Sequence, residues 1–350
     1  MDRGIAPSEI RLGILATVGF GGWQLGNVSS CLAEELGAPG LPTVRLENAC
    51  ASGGTALFEA ARAVHSGLAD VVLAAGVEKM TDCPSPRRRY WLGVSGDTEW
   101  ERPAGLTFAG VYALMASRYE ALYGPVEEAL CAVALKNHAN GAHNPLAHFQ
   151  RPISRDQYYA SPPVADPLRL YDCCPVSDGA AAVLVARDDL ARRYTDTPVR
   201  IEASALATDT LALQDRRSLT SLESTRRAVK GALQSWGREL TSLQMFEVHD
   251  CFTIAELLAL EDLGLVARGE AGKLTQEGET ARDGRRPVNP SGGLKAKGHP
   301  LGATGLAQAH EVFEQLRGRC GPRQVPGVET ALAHNVGGSG GTCTVHIFSV

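Results

Sequence analysis

The sequence lacks three things, and each absence closes off a class of protein. None of its nine cysteines belongs to a Cys-x-x-Cys pair, the count is odd, and the adjacent Cys173 and Cys174 cannot fold as a zinc knuckle, so neither a structural metal site nor a disulfide framework is expected. No long apolar run or leader-like segment is present, which sets aside a membrane span and makes a reducing cytoplasm the expected compartment. Basic charge is not in surplus: the net charge is −5, the 34 Lys and Arg are dispersed, and the one compact run, Arg87-Arg88-Arg89, reads as a solvated loop in preference to a phosphate contact. Nucleic acid is therefore not an expected partner. At 350 residues, 44% hydrophobic and 21% charged, the chain has enough apolar content to bury a sizeable core in two lobes.

What is present is a set of junctions. In Glu47-Asn48-Ala49-Cys50-Ala51-Ser52-Gly53-Gly54 a cysteine sits among small residues, after a strand-like run and before a helix expected over residues 52–66, where Leu57, Ala60, Ala61 and Val64 recur at helical spacing. Cys50 is expected at the positive end of that helix among unpaired N–H groups, a position that lowers a thiol pKa. Alone, such a cysteine reads in preference as a small buried residue packed behind a tight turn. Two histidines change the balance. His249, in Glu247-Val248-His249-Asp250-Cys251-Phe252, follows a short strand and precedes a helix over residues 253–263. His299, in Gly298-His299-Pro300-Leu301-Gly302-Ala303-Thr304-Gly305, lies in a glycine-punctuated turn ahead of a helix over residues 306–316. Such junctions are where open α/β sheets place their chemistry. Together the three side chains supply a nucleophile, a group that raises its thiolate fraction, and a donor for a developing enolate oxygen. The remaining cysteines, Cys251 aside, read as small hydrophobes.

Strands and helices alternate, which makes the chain α/β, and the alternation occurs twice. The second half runs through strand 199–206, helix 222–236, strand 245–248, helix 253–263, a polar segment over 268–297 expected as a loop above the site, helix 306–316, and strands 329–334 and 342–348. The first half echoes it: residues 6–15 resemble 240–248, 70–75 resemble 329–334, and 179–186 resemble 341–348. The halves are expected to cover 1–190 and 191–350, with an inserted subdomain over about 78–175 whose helices span 106–123 and 126–140. An insert of that size usually lines a substrate channel or an oligomer contact. The strand and helix over 199–237 have no counterpart ahead of residue 6. The first βα unit is thus expected to be missing, which predicts that Met1 is a misassigned start or a truncation and that a longer chain is more stable.

Taken in order, Asn48-Ala49-Cys50-Ala51-Ser52-Gly53, Val77-Glu78-Lys79-Met80-Thr81, Ala165-Asp166-Pro167-Leu168, Ser177-Asp178-Gly179-Ala180-Ala181, His249-Asp250-Cys251-Phe252, Asn289-Pro290-Ser291-Gly292-Gly293, Gly298-His299-Pro300 and His334-Asn335-Val336-Gly337-Gly338 span nearly the whole chain. In these segments the sequence resembles the thiolase superfamily, and within it the sterol-carrier-protein-type and archaeal-type branch. The resemblance implies the thiolase fold, two similar βαβα halves in a five-layered αβαβα architecture, and it places the absent strand centrally in its sheet. It implies an acyl-CoA C-acyltransferase that cleaves a 3-oxoacyl-CoA with CoA, or runs the reverse Claisen condensation, through an acyl group on Cys50. By the same resemblance His299 activates the thiol, and the N–H groups of Cys50 and Gly337 receive the oxyanion. His249 stands where many thiolases have an asparagine, and donates to the thioester oxygen of the second acyl-CoA. Commoner thiolases carry a second cysteine at the position of Asn335, whose amide cannot shuttle a proton; Cys251 is the implied substitute. Ser291, Gly292 and Gly293 are expected to take the pantetheine arm of CoA, since glycine permits close backbone approach.

This chemistry requires no metal or redox cofactor, and CoA is a cosubstrate. The resemblance also implies a homodimer or homotetramer and, as in some relatives, a small OB-fold and zinc-ribbon partner. Two other functions fit the same residues. One is a different C–C bond acyltransfer or CoA-ester retro-aldol reaction, because a Cys-His-His set also resembles ketosynthases. The other is a non-catalytic lipid carrier or scaffold.

Overall fold

Apolar strands alternating with amphipathic helices resolve into two four-stranded sheets in the computed structural model, which describes residues 4–22 and 25–350. The first half contains β1 (Leu12–Ala16), α1 (Val28–Glu35), β2 (Thr43–Leu46), α2 (Ser52–His65) and β3 (Val71–Glu78). The chain then leaves the sheet for α3 (Ser85–Gly93), α4 (Phe108–Tyr123), α5 (Glu127–Gly141), α6 (Arg155–Tyr159) and a short hairpin, β4 (Pro163–Ala165) and β5 (Leu168–Arg169), before β6 (Gly179–Ala186) and α7 (Asp188–Tyr194). The second half holds β7 (Arg200–Thr208), α8 (Glu223–Trp236), β8 (Met245–Glu247), α9 (Thr253–Leu263), α10 (Ala271–Gln276), α11 (Gly293–Lys297), α12 (Thr304–Leu316), β9 (Thr330–Gly337) and β10 (Thr342–Ser349).

The repeat legible in the sequence is the repeat of the sheets. Their orders are β2-β1-β3-β6 and β7-β10-β9-β8. In both, a parallel pair is followed by an antiparallel strand: β1 beside β3 beside β6, with Ile14 opposite Ala74, and β8 beside β9 beside β10, with Phe246 opposite Leu332. Each of β1 and β8 is entered through a 3₁₀ turn, Pro7–Glu9 and Leu240–Ser242. One expectation is corrected. The strand without a first-half counterpart, β7, pairs among the described residues with β10 alone and is an edge strand, so its place in the repeat is marginal and not central. The equivalent flank of β6 carries no strand partner among the described residues, and a groove of about 1300 Å³ runs past it, lined among others by Leu12, Ile14, Phe58, Val183, Val185 and Phe313. Met1 lies outside the described residues.

Between the sheets lie α2 and α12. Ala56, Leu57 and Ala60 of α2 and Leu306, Ala309 and Val312 of α12 bury one stripe each against Ile14, Val72, Ala331 and Phe348, as helical spacing requires of an apolar face. The first turns of the two helices approach backbone to backbone. A Cβ on Gly53 would lie 2.9 Å from the carbonyl oxygen of Gly302 and from the amide of Gly305, and a Cβ on Gly305 would overlap the amide of Gly54. Cys50 and His299, which precede these turns, are thereby brought to one place.

The inserted helices α4 and α5 pack on α9, sharing a core of Tyr112, Met115, Leu130 and Val133 with Leu257 and Leu258. Helix α9 is buried from end to end, including Glu256, Glu261 and Asp262, which are paired with Lys136 and Arg268. Two further expectations fail here. The segment 268–297 is not a loop above the site: it contains α10 and α11, and residues 287–296 are buried. Its polar groups are spent inside the protein, Asn289 donating to Glu256 at 2.9 Å and accepting the Val248 amide at 2.8 Å. Arg87, Arg88 and Arg89 lie on α3 and not in a loop. Among the described residues no helix is long and apolar enough to cross a membrane.

Overpacking a close helix contact costs about 1–3 kcal/mol, and more where backbone must move. Gly305→Ala is expected at the upper end, about 3 kcal/mol, read as a lowered urea midpoint with an unchanged slope. An unchanged midpoint would show that the two helices are free to separate.

Candidate active site

The chain turns sharply after β2. Ala49 adopts a left-handed conformation (φ 50°) that non-glycine residues rarely take, and Ser52 closes the turn by accepting the Asn48 amide at 2.8 Å and donating to the Ala49 carbonyl at 2.6 Å. Cys50 is held at the tip, 2% exposed, two residues before α2. His249 leaves the end of β8 and His299 the turn before α12; both are buried, with rings 5.0 Å apart and nearly perpendicular. The donor atoms of Cys50, His249 and His299 all lie within 4.8 Å of one another. Thiol and imidazole are also zinc ligand types, and the backbone amides of Cys50 and Gly338 act on the Cys50 sulfur as well.

Hydrogen bonds fix where the protons sit. Thr304 Oγ1 gives its one proton to the Pro300 carbonyl at 2.9 Å, so it accepts from His299 Nδ1 at 2.7 Å. His299 Nε2 then carries the lone pair, and it has no hydrogen-bond partner. His249 Nδ1 lies 3.1 Å from Asn335 Nδ2, while its Nε2 is also buried without a partner. Asn335, on β9, also donates to the Cys50 carbonyl at 3.0 Å and accepts the Gly54 amide at 3.1 Å.

The expectation of a lowered Cys50 pKa is overturned. Burial pushes the thiol up to about 12; the Gly338 amide opposes this, and the Glu78 and Glu47 carboxylates reinforce it. Complete desolvation of a thiolate outweighs the pull of a helix terminus. Burial also drives His299 down to about 3, helped by the Lys297 charge, and takes His249 well below the ordinary histidine range, helped by His299 and His334. The resting site is a neutral thiol facing two neutral imidazoles.

The other expected residues fall as follows. Gly337 approaches the Asn48 carbonyl too closely to carry a side chain, and the next amide, that of Gly338, is the one that opposes the rise in the Cys50 pKa most. Cys251 is buried, outside the 4.8 Å cluster. Burial holds its pKa well above the usual thiol range, reinforced by Cys174, while the Tyr112 hydroxyl opposes the shift. Ser291, Gly292 and Gly293 are buried, with protein where pantetheine was expected: Ser291 donates to Glu247 at 2.7 Å, a Cβ on Gly292 would lie 2.7 Å from Gly141 Cα, and one on Gly293 would strike the Asp250 carboxylate.

Three residues escaped the sequence reading as site components. Glu78, at the end of β3, accepts the amides of Val18, Phe20 and Gly302 at 2.9, 2.9 and 3.0 Å, tying the turn that carries His299 to the first sheet. A carboxylate ending an apolar strand was the available signal. Asp250 accepts the amides of Leu294 and Lys295 at 2.6 and 3.2 Å and so anchors α11. Tyr112, from the insert, donates to the Gly338 carbonyl at 3.2 Å.

The site is thus a buried thiol at a helix start facing two imidazoles on an internally repeated α/β scaffold, groups of the kind that nucleophilic catalysis uses. The chain belongs to the thiolase family: residues 2–189 match the thiolase N-terminal domain and residues 205–350 the thiolase C-terminal domain-like family. It is 50% identical over 323 residues to an acetyl-CoA acetyltransferase of Methanothermobacter thermautotrophicus, covering 92% of this chain and 84% of that one. It is 35% identical over 329 residues to sterol carrier protein 2 of Bos taurus, covering 91% of this chain and 60% of that protein. Among solved structures, the Ltp2-ChsH2(DUF35) aldolase is similar, with a TM-score of 0.85 at 25% identity, covering 99% of this chain and 89% of that one.

A thiol with a pKa of about 12 gains thiolate tenfold for each pH unit below that value. Alkylation of Cys50 by iodoacetamide, followed by peptide mass spectrometry, is therefore expected to climb steadily from about pH 7 to pH 10. A rate that levels off near neutrality would mean a preformed thiolate–imidazolium pair.

Proposed function

We propose that the chain is an acyl-CoA C-acyltransferase of the thiolase type in which Cys50 carries the acyl group, cleaving a 3-oxoacyl-CoA with CoA or condensing two acyl-CoA molecules in reverse. The observation that carries this reading is the convergence of the Cys50 thiol with two buried, unpartnered imidazole nitrogens. Cys50 attacks the 3-keto carbon while its proton passes to His299 Nε2, the atom left with a lone pair. The oxyanion is received by the amides of Cys50 and the Gly337-Gly338 turn. Its collapse breaks the bond between C2 and C3, leaving the acyl group on Cys50 and an acetyl-CoA enolate whose thioester oxygen is held by His249. Cys251, which burial keeps protonated, supplies the proton that makes acetyl-CoA. The thiol of free CoA then gives its proton to the Cys251 thiolate and takes the acyl group, and the departing Cys50 thiolate regains its proton from His299.

CoA is the cosubstrate in this reading, with no redox cofactor. A homodimer or homotetramer and a cytoplasmic setting go with it, and light scattering of the purified chain tests the first. A second reading is favoured by the similarity to the aldolase assembly: cleavage of a 3-hydroxyacyl-CoA to an aldehyde and an acyl-CoA, with a small OB-fold and zinc-ribbon partner.

Incubation with acetoacetyl-CoA, read by intact mass, is expected to show an acetyl adduct on Cys50 that CoA discharges. Cys50→Ala abolishes it and His299→Ala slows its formation by about 10²–10⁴-fold. Aldehyde release without an adduct on any short, medium or branched substrate would select the second reading; absence of both would leave a carrier role.

A further inference from the structure

We propose that Asn335 is a positioning residue that sets the tautomer of His249, keeping the ring proton on Nε2 so that His249 meets the substrate oxygen as a donor. The inference deepens the acyl-transfer reading and rests on it for the role of that donor.

An amide side chain has a donor end and an acceptor end, and the two are told apart only by their partners. At Asn335 the partner is decisive. The backbone N–H of Gly54 has no choice but to donate, and it lies 3.1 Å from Oδ1. Reversing the amide would place two donors against each other in a buried site. Nδ2 must therefore face the remaining partners, the Cys50 carbonyl at 3.0 Å and His249 Nδ1 at 3.1 Å. Two N–H bonds serve two acceptors. His249 Nδ1 is consequently the lone-pair nitrogen, and a neutral ring keeps its proton on Nε2, the buried atom without a protein partner. Burial and the neighbouring His299 and His334 keep the ring neutral. The backbone is held as well, the His249 N–H pointing to His334 Nδ1 at 3.4 Å while His334 Nε2 meets Thr225 Oγ1 at 3.0 Å.

The two site histidines are thus set in opposite senses by unrelated side chains. Thr304 accepts from His299 Nδ1 and leaves Nε2 as a base; Asn335 donates to His249 Nδ1 and leaves Nε2 as an acid. A cysteine at position 335 has no second donor to offer, so the asparagine is matched to the histidine at 249.

The direct test is the imidazole ¹⁵N spectrum of the full chain, with His249 assigned by its loss in His249→Asn. The wild type is expected to show a protonated Nε2 and an unprotonated Nδ1, and Asn335→Asp, whose carboxylate only accepts, to show the reverse. A wild-type ring protonated on Nδ1, or an unchanged tautomer in the variant, overturns the proposal whether or not the enzyme turns over. The kinetic arm is a double-mutant cycle. Asn335→Asp is expected to slow acetoacetyl-CoA cleavage by about 10²–10³-fold, the cost of one oxyanion donor, yet to add only a small further loss in the His249→Asn background, where the donor has no tautomer to set. Equal losses in both backgrounds would make Asn335 merely structural. If wild type forms no adduct on Cys50, the acyl-transfer reading fails while the spectrum still decides the tautomer.

Discussion

The contact on which the site depends is the one between the first turns of α2 and α12, where Gly53 and Gly54 meet Gly302 and Gly305 with no side chain between them. Each half of the repeat leads its chain into its own central helix, and each helix start carries one reactive side chain just ahead of it. Neither half has a site alone. A single methyl group at the crossing would push the helix starts apart, and an acyl-transfer geometry tolerates little displacement, because proximity and orientation supply much of its rate. These glycines thus act through packing; they set the distance between the Cys50 thiol and the His299 imidazole from behind.

Bringing those groups together deep in the protein has an electrostatic consequence. No charged side chain belongs to the immediate Cys-His-His cluster, and burial drives each of the three toward its neutral form. A site of this kind cannot rely on a standing thiolate. It relies on where protons are placed, and placement is the work of neutral hydrogen bonds from Thr304 and Asn335. In the proposed acyl transfer, the charge that appears on substrate oxygen is then met by donors already oriented, in a medium where such donors count for more than in water.

How much of this was legible in the sequence follows a physical rule. Cys50, His249 and His299 stood out because each interrupts a periodic pattern at a strand-to-helix or loop-to-helix junction, and the repeat was visible because paired strands carry similar apolar runs. What stayed hidden depends on partners remote in sequence. The 287–296 stretch reads as solvated, yet Asn289, Ser291 and Lys295 are buried because Glu256, Glu247 and His138 meet them there. The Cys50 pKa was misjudged because a helix start is local and desolvation is not. The edge position of β7 was likewise out of reach, since strand order is a property of the sheet.

The two halves have diverged at one equivalent point, and the divergence accounts for the asymmetry of the site. β3 and β9 occupy the same place in the repeat; the first ends in Glu78 and the second in Gly337. The carboxylate of Glu78 gathers amides from both halves, fixing the turn that delivers His299, and its charge opposes formation of a thiolate at Cys50. The corresponding end of β9 has no room for a side chain. Glycine there lets the backbone close on the Asn48 carbonyl and places the following amide, that of Gly338, on the sulfur. One half therefore contributes a buried carboxylate and the other a close backbone approach, a division that an exchange of the two residues would abolish in both directions.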